Sequence, residues 1–391
     1  MRPRTAERCI LAIVLLAAAS AAAAQPGGSV RITSARSAAL GGVHAALADD
    51  VDTLFANPAG FRSAQPQLMV ADLTVGLSGP IFDIAGVFIE GAGADPADLL
   101  ASDPVQELLT NLYAAASVLG PLSLAYVGNG LGFGFFSRTQ VDFTTVGTVP
   151  TVYTTLQEEF DFAGGYALRI PLPDAWNSSL DVGVLIRGTL RGTSTSSQDS
   201  LTFFENLSDP GALLLGGPFR IAVGIGADVG IRYAFKDVFA FGLAARNLYA
   251  PRLYYDYSSV SGFFGSEVPA DSTGLEPIDL SAGVMWRPSL GRLARYVSDL
   301  KIMLDYTDIL DFLTHPATAR NPVLHVGLGA EVVVLEVLSL RGGFAQGLLS
   351  AGLGLDLSVF TLNLSMFGAE LSPEPGLRPV FNLVLGLQFV L

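Results

Sequence analysis

From Gln67 to the last residue, apolar side chains return at every second position in one segment after another. Leu180, Val182, Val184, Ile186 and Leu190 alternate with Asp181, Gly183, Leu185, Arg187 and Thr189. In Phe219 to Tyr233 the odd positions are apolar, and Arg220, Gly224, Gly226, Asp228 and Arg232 fill the gaps. Ile278 to Trp286 and Leu300 to Tyr306 repeat the pattern, and Phe381, Leu383, Leu385, Leu387, Phe389 and Leu391 end the chain with an unbroken apolar row. Successive side chains of a strand point to opposite faces, so period two means strands with one apolar face. Runs of roughly ten residues with this pattern, separated by turns, match strands that cross a bilayer at a tilt. A soluble β-sandwich shares the period, so three further features decide between them. The strands are long for a sandwich, the N-terminus reads as an export signal, and the only lysines are Lys236 and Lys301. Open sheets protect their edges with lysine and proline, whereas a closed barrel has no edge to protect.

The export signal is residues 1–24. Arg2, Arg4 and Arg8 form a basic start, Ile10 to Leu16 an apolar centre, and Ala22-Ala23-Ala24 a small-residue cleavage site. Cys9, the single cysteine, leaves with it, so the mature chain has no disulfide and must be stabilised by a large closed structure. Removing Arg2, Arg4, Arg8 and Glu7 leaves 19 basic and 35 acidic residues out of 22 and 36. Nucleic acid is therefore excluded as a partner. Half the residues are apolar, 15% are charged and 43 are glycine, a composition suited to a protein that shows apolar surface to lipid.

Connections alternate between short and long. Gly128-Asn129-Gly130, Lys236-Asp237, Leu335-Glu336 and Val359-Phe360 are short, and the stretches 144–154, 193–217, 257–274 and 308–321 are long. Outer-membrane barrels have tight periplasmic turns and longer outer loops. The expected fold is all-β: a transmembrane antiparallel β-barrel of about 14 strands over residues 67–391, with Gln67 to Ile89 as one kinked strand. One short helix is expected in an outer loop, from Asp103-Pro104, a capping pair, to about Val118. Residues 110–137 carry no charge and are long enough for a membrane helix. Gly120-Pro121 and Gly128-Asn129-Gly130 break that reading.

Residues 25–66 lack period two. They are rich in small residues, contain "ADDVDTLFANPAG" (48–60), and end in Asn57-Pro58, which fixes the local backbone. Compact non-strand chain at the entrance of so wide a barrel is expected to fold into the lumen as a hatch. The other reading is a periplasmic tail with a helix from Val43 to Phe55.

The stretch "SARSAALGGVHAALADDVDTLFANPAG", with "LAYVGNGLGFGFFSRT", "FGLAARNL", "DLKIMLDYTDI" and "LRGGFAQGLLSAGLGLDL", resembles the outer-membrane proteins related to the long-chain fatty acid transporter FadL. The closest branch holds PorV/PorQ-like and spirochaetal proteins. The resemblance implies a hatch motif at Gly41, Gly42, Asp49, Asp50, Asp52, Asn57, Pro58, Ala59 and Gly60. It also implies a 14-stranded barrel in the bacterial outer membrane that passes hydrophobic compounds, such as long-chain fatty acids, passively inward, often through an opening in its wall. The alternative is a non-transporting barrel that anchors or shuttles secretion cargo, as PorV-like proteins do. Outer-membrane lipid and hydrophobic small molecules are the expected partners, with a secretion-system partner in the alternative, and a monomer is expected.

If the apolar rows face lipid, Arg187, Arg191, Arg220, Arg232, Lys301, Asp228, Asp305, His325, Glu331 and Arg341 face inward. With Arg36 of the hatch, Arg187, Arg191, Arg220, Arg232 and Lys301 are candidates to hold a carboxylate headgroup. The plainer reading, which the pattern favours, is a set of paired charges lining a wet interior. Catalytic signals are weak. His44, His315 and His325 show no metal-ligand spacing, there is no G-x-S-x-G elbow, and Gly224-Ile225-Gly226 lacks the helix a dinucleotide loop needs. No enzyme, cofactor or metal is expected, and Asp49, Asp50 and Asp52 are expected to solvate the hatch or pair with lumen arginines.

Overall fold

The structure, a computed structural model, describes residues 30–90, 102–110, 112–146, 150–206 and 209–391. The expected export signal lies outside the described residues. The strands are β1 (Gln67–Ser78), β2 (Tyr113–Gly128), β3 (Leu131–Val146), β4 (Thr151–Ile170), β5 (Ser178–Asp199) and β6 (Phe219–Phe235). Next come β7 (Phe239–Tyr249 continued by Pro251–Tyr257) and β8 (Ala270–Leu275 continued by Asp279–Trp286). The last six are β9 (Val297–Tyr306), β10 (Val326–Val334), β11 (Leu338–Ala345), β12 (Leu348–Asp356), β13 (Phe360–Glu370) and β14 (Pro379–Val390). Each pairs antiparallel with its chain neighbours, and β1 pairs with β14 from Met69–Val390 to Ser78–Asn382. The sheet is thus a closed barrel of 14 strands.

Facing follows the period-two rows. On β14 Phe381, Leu385 and Phe389 are exposed outward while Val380, Asn382 and Val384 are buried inward. On β9 Ile302 and Leu304 face out, and Lys301, Met303 and Asp305 face in. An outward apolar belt over a ring without free edges is what hydrocarbon requires, since water is not there to satisfy unpaired backbone groups. The chain is a transmembrane β-barrel of the outer-membrane type.

One end of the barrel carries tight turns. Lys236-Asp237 and Leu335-Glu336 each place two residues at positive φ, the geometry whose twist matches an antiparallel hairpin. The other end carries helices: Ile81–Glu90, Asp103–Thr110, Ser200–Glu205, Pro210–Leu215 and Val260–Phe264. Several expectations are corrected here. Residues 79–90 do not extend β1, which ends at Ser78 before a helix. The helix from Asp103 ends at Thr110, not Val118. Tyr113 to Val118 instead pair with Thr139 to Thr144 on β3, and Ala115 to Val118 with Val75 to Ser78 on β1, so ladder bonds override the helix propensity of Ala114-Ala115-Ala116. Within the uncharged stretch 110–137, Tyr113–Gly128 are β2 and Leu131 onward is β3, and among the described residues no helix is long and apolar enough to cross a membrane. The loop expected at 144–154 shrinks, because β3 and β4 remain paired out to Val146 and Thr151.

A membrane-midplane charge is the sharpest check of facing. Leu385→Arg on β14 should cost about 2–4 kcal/mol and Val359→Arg, at a tight turn, about 0–1. Guanidinium unfolding of the protein refolded in phospholipid measures both; equal costs would overturn the assigned belt.

Candidate functional site

Residues 30–66 lie inside the ring. They begin near its helix-bearing end, where the Val30 N–H donates to Tyr113 Oη at 2.9 Å, and finish at the turn-bearing end where β1 starts. A short helix, Ala35–Ala39, is capped by Ser34, whose Oγ accepts from the Ser37 N–H. It closes on Gly41 and Gly42, both left-handed, with the Gly42 N–H returning to the Ser37 carbonyl. Gly41 meets a second demand, since a Cβ there would stand 2.8 Å from the carbonyl oxygens of Leu328 and Phe344. Asn57 fixes the other turn. Its Oδ1 accepts from the Ala59 N–H at 3.0 Å, and its Nδ2 donates to the Ala45 carbonyl at 2.7 Å and to Ile231 of β6 at 3.2 Å. Pro58 then opens a 3-10 helix, Pro58–Arg62, that buries Ala59, Gly60 and Phe61. The Asn-Pro pair is thus a helix cap rather than the end of the segment.

The wall receives this segment at glycines. A Cβ on Gly183 would lie 2.4 Å from the Pro58 carbonyl oxygen, on Gly230 2.0 Å from Asn57 Oδ1, and on Gly242 1.9 Å from the Ala45 carbonyl oxygen. Around them, Val51, Leu54, Phe61 and Ala64 pack on Met69, Val127, Phe136 and Leu185 of the wall. Leu40, Val43 and Leu47 pack on Ala234, Ala240, Met285 and Met303.

Charge holds the segment at one side of the bore. Arg36 donates from Nε and Nη2 to the two oxygens of Glu331 at 3.0 and 2.6 Å, and from Nη1 and Nη2 to Asp49 at 2.9 Å each. It also bonds Asp50. Lys301 Nζ reaches Asp49 at 2.8 Å and Glu331 at 3.1 Å, and Arg341 Nε reaches Glu331 at 2.7 Å. Asp52 bonds Ser34 Oγ, and Asp50 Oδ1 accepts from the Asp52 N–H at 3.0 Å. His44 is buried, its Nε2 3.4 Å from Asp50. The oxygen of Asp305 accepts from the N–H groups of His44 and Ala45, both at 2.7 Å.

The remaining inward cations are also engaged. Arg191 joins Arg31 and Arg138 on Glu159, at 2.6, 2.7 and 3.1 Å. Arg187 pairs with Asp228 at 2.9 Å and Asn247 at 3.0 Å, Arg220 with Asp256 at 2.5 Å, and Arg232 donates to the Ala46 carbonyl at 2.9 Å and Ser63 at 3.0 Å. The structure therefore joins Arg36 and Lys301 with Asp49 and Asp50 in one network and leaves Arg187, Arg191, Arg220 and Arg232 on four separate partners. Glu159, Arg138 and Arg31 were outside the expected set, and Arg31 lies on the segment itself. Beneath the segment, at the turn-bearing end, a cavity of about 920 Å³ is lined by Asp49, Arg62, Arg169, Arg232, Arg287 and Lys301 among others.

Pairing in the wall lapses at two places: between β1 and β2, from Met69–Ala125 to Thr74–Leu119, and along β7. On β7, residues 246–248 stand opposite the single residue Asp228 of β6, since Ala245 pairs with Val229 and Tyr249 with Ala227. Across the other edge, pairing with β8 stops between Arg246–Asp279 and Pro251–Leu275, and Pro277 there has no N–H to donate. The break lies about half-way along β7 and beside Phe55 of the segment, whose carbonyl accepts from Arg246 at 3.1 Å.

No family model matches the chain, and no curated protein matches it in sequence. Similar solved structures include the monoaromatic hydrocarbon channel CymD, with 13% identity over 90% of this chain and 96% of that one (TM-score 0.46). The Pseudomonas putida toluene transporter TodX has 11% identity over 92% and 98% (0.47). The translocator domain of the autotransporter NalP from Neisseria meningitidis has 8% over 83% and 88% (0.30).

Removing one member of a buried ion cluster strands its partners, at about 3–5 kcal/mol. Arg36→Ala should thus loosen the segment and raise single-channel conductance in planar bilayers, while the barrel keeps its heat-modifiable mobility on gels. Gly242→Val should do the same by steric displacement of Ala45, at about 1–3 kcal/mol. Unchanged conductance in both variants would show that the segment does not control the bore.

Proposed function

We propose that the chain is an outer-membrane channel for the passive inward movement of hydrophobic compounds, long-chain fatty acids among them, with residues 30–66 as its plug. The observation that carries this reading is the break between β7 and β8 beside the segment that lies in the bore. A solute arriving from the helix-bearing end meets the segment and its ion clusters. Crossing those clusters would desolvate an apolar body against fixed charges, whereas the wall break leads sideways into hydrocarbon. Leu248 and Tyr249 are exposed on the lipid side of the break, and Ala250 is buried.

The helix-bearing end suits reception of such a solute. Val105 and Leu109, Phe203, and Leu213 come from three of its helices and form one apolar cluster with Leu112 and Val152. Phe82, Leu201 and Leu215 leave apolar surface exposed beside it. Because the cations at Arg187, Arg191, Arg220 and Lys301 already hold carboxylates or amides, selection rests on the apolar body of the solute more than on a headgroup.

Cells expressing the protein should take up a fluorescent long-chain fatty acid or a monoaromatic hydrocarbon faster than cells without it. Deleting Asn247 and Leu248 removes the two-residue surplus against β6 and should abolish the difference while leaving a folded barrel. Equal uptake with and without the protein would sink the channel reading and favour the secretion anchor.

A further inference from the structure

The loop from Thr307 to His325, at the helix-bearing end, holds a second group of titratable side chains that the bore does not use. Asp308 sits at a left-handed φ of 49° immediately after β9, and three residues later Asp311 starts the helical turn Asp311–Thr314. The chain returns through a 3-10 helix, Pro322–His325, whose last residue lies against the same carboxylates. His325 is 6% exposed. Its Nε2 is 3.3 Å from Asp311 Oδ2 yet makes no hydrogen bond. A buried imidazole nitrogen without a partner costs free energy that protein structures ordinarily avoid. The ring is held in place from elsewhere: its backbone carbonyl accepts from the Thr307 N–H at 2.9 Å, and Tyr306 lies with its ring centroid 5.7 Å away.

One ligand atom from each of Asp308, Asp311 and His325 lies within 4.8 Å of the other two. Among the described residues the Asp308 carboxylate has no hydrogen-bond partner or ion pair. Asp311 is already aimed, since its Oδ2 accepts from the Arg320 N–H at 2.7 Å and its Oδ1 lies 3.0 Å from His315 Nδ1. That is the outer support a metal-binding carboxylate normally has. Among the described residues no arginine or lysine side-chain nitrogen bonds these oxygens. The other cluster of similar make-up, His44 with Asp49 and Asp50, differs on this point, because Arg36 and Lys301 already neutralise its carboxylates.

We propose that Asp308, Asp311 and His325 bind one divalent first-row transition metal ion, which staples the loop of residues 307–325 across the ends of β9 and β10. Two carboxylates cancel a charge of +2, and the imidazole favours such an ion over calcium or magnesium, which prefer oxygen alone. A tetrahedral ion would have one position left for water.

Zinc chloride is the probe. Full-length protein without an affinity tag, refolded in detergent and stripped with a chelator, should bind one Zn²⁺ per chain by titration calorimetry, with no comparable heat from calcium chloride. Asp308→Asn and His325→Gln should each weaken Zn²⁺ binding by at least about ten-fold, the scale on which loss of even an outer-shell partner is felt. Heat-modifiable mobility on gels reports that each barrel has folded. Asp308→Asn alone carries the test if His325→Gln does not fold, since the Asp308 carboxylate has no hydrogen bond to lose and its backbone carbonyl, which accepts from the Asp311 N–H, is unchanged. Absence of stoichiometric Zn²⁺ binding by the unaltered protein would overturn the proposal. So would Zn²⁺ binding by Asp308→Asn as tight as that of the unaltered protein, or calcium binding in place of zinc.

Discussion

The seam between β1 and β14 is the condition on which the rest of the molecule depends. Leu68 and Leu391 exchange both backbone hydrogen bonds, at 2.9 and 2.8 Å, and the ladder runs from there to Ser78 and Asn382. In hydrocarbon each unpaired N–H or C=O costs several kcal/mol, so a sheet that failed to close there could not remain in the membrane. Closure has a geometric consequence. Eight strands make a bore that side chains fill, and 16 to 18 leave a water channel. At 14 strands the interior is too wide for its own side chains and narrow enough for one folded segment to block. Residues 30–66 fill it, and the inward glycines Gly183, Gly230 and Gly242 are the places where segment backbone and wall come too close for any larger residue.

The acidic run 49–52 follows from the same geometry. The wall brings Lys301, Arg341 and Glu331 together on β9, β10 and β11, one anion for two cations. The segment adds Arg36 with Asp49 and Asp50, making three cations and three acids, with Asp299 at the edge beside Lys301. A cluster with either half missing would hold uncompensated, largely buried charge. The segment thus supplies charges that the wall lacks, and its position is set by electrostatics as much as by apolar packing.

Facing was legible in the sequence wherever a strand touches lipid, because hydrocarbon demands an apolar side chain at every outward position. Lys301, Asp305, Asp228 and Arg232 could be placed inward from their neighbours alone. Beyond the bilayer that demand lapses. The outer part of β5, Thr193 to Asp199, is built of Thr, Ser, Gln and Asp and reads as loop, yet pairs residue for residue with β4. The same lapse hid the ends of β3 and β4. Asn57 stood out as a turn former and Gly41 through the resemblance, but their deeper constraint, contact with Ile231, Leu328 and Phe344, joins positions far apart in the chain and leaves no local pattern. Partner identity in the ion clusters is invisible for that reason too: Arg36 and Glu331 are 295 residues apart.

The break between β7 and β8 bears on what the barrel is for. A wall whose sole task is to hold a protein in the membrane gains from unbroken pairing, since every missing ladder bond at membrane depth must be satisfied some other way. Here the satisfaction is elaborate. Asp228 accepts from the Asn247 N–H at 2.8 Å and from Arg187, while Arg252 pairs with Glu276 at 2.8 Å and the Ala250 carbonyl accepts from the Glu276 N–H at 3.0 Å. Bulges that re-aim a strand are features retained at functional places rather than defects. These charged groups line the inner side of the break while Leu248 and Tyr249 present apolar surface outside it. The irregular stretch is therefore stable as it stands and remains a thinly hydrogen-bonded part of the wall, next to the point where Phe55 of the inner segment meets Arg246.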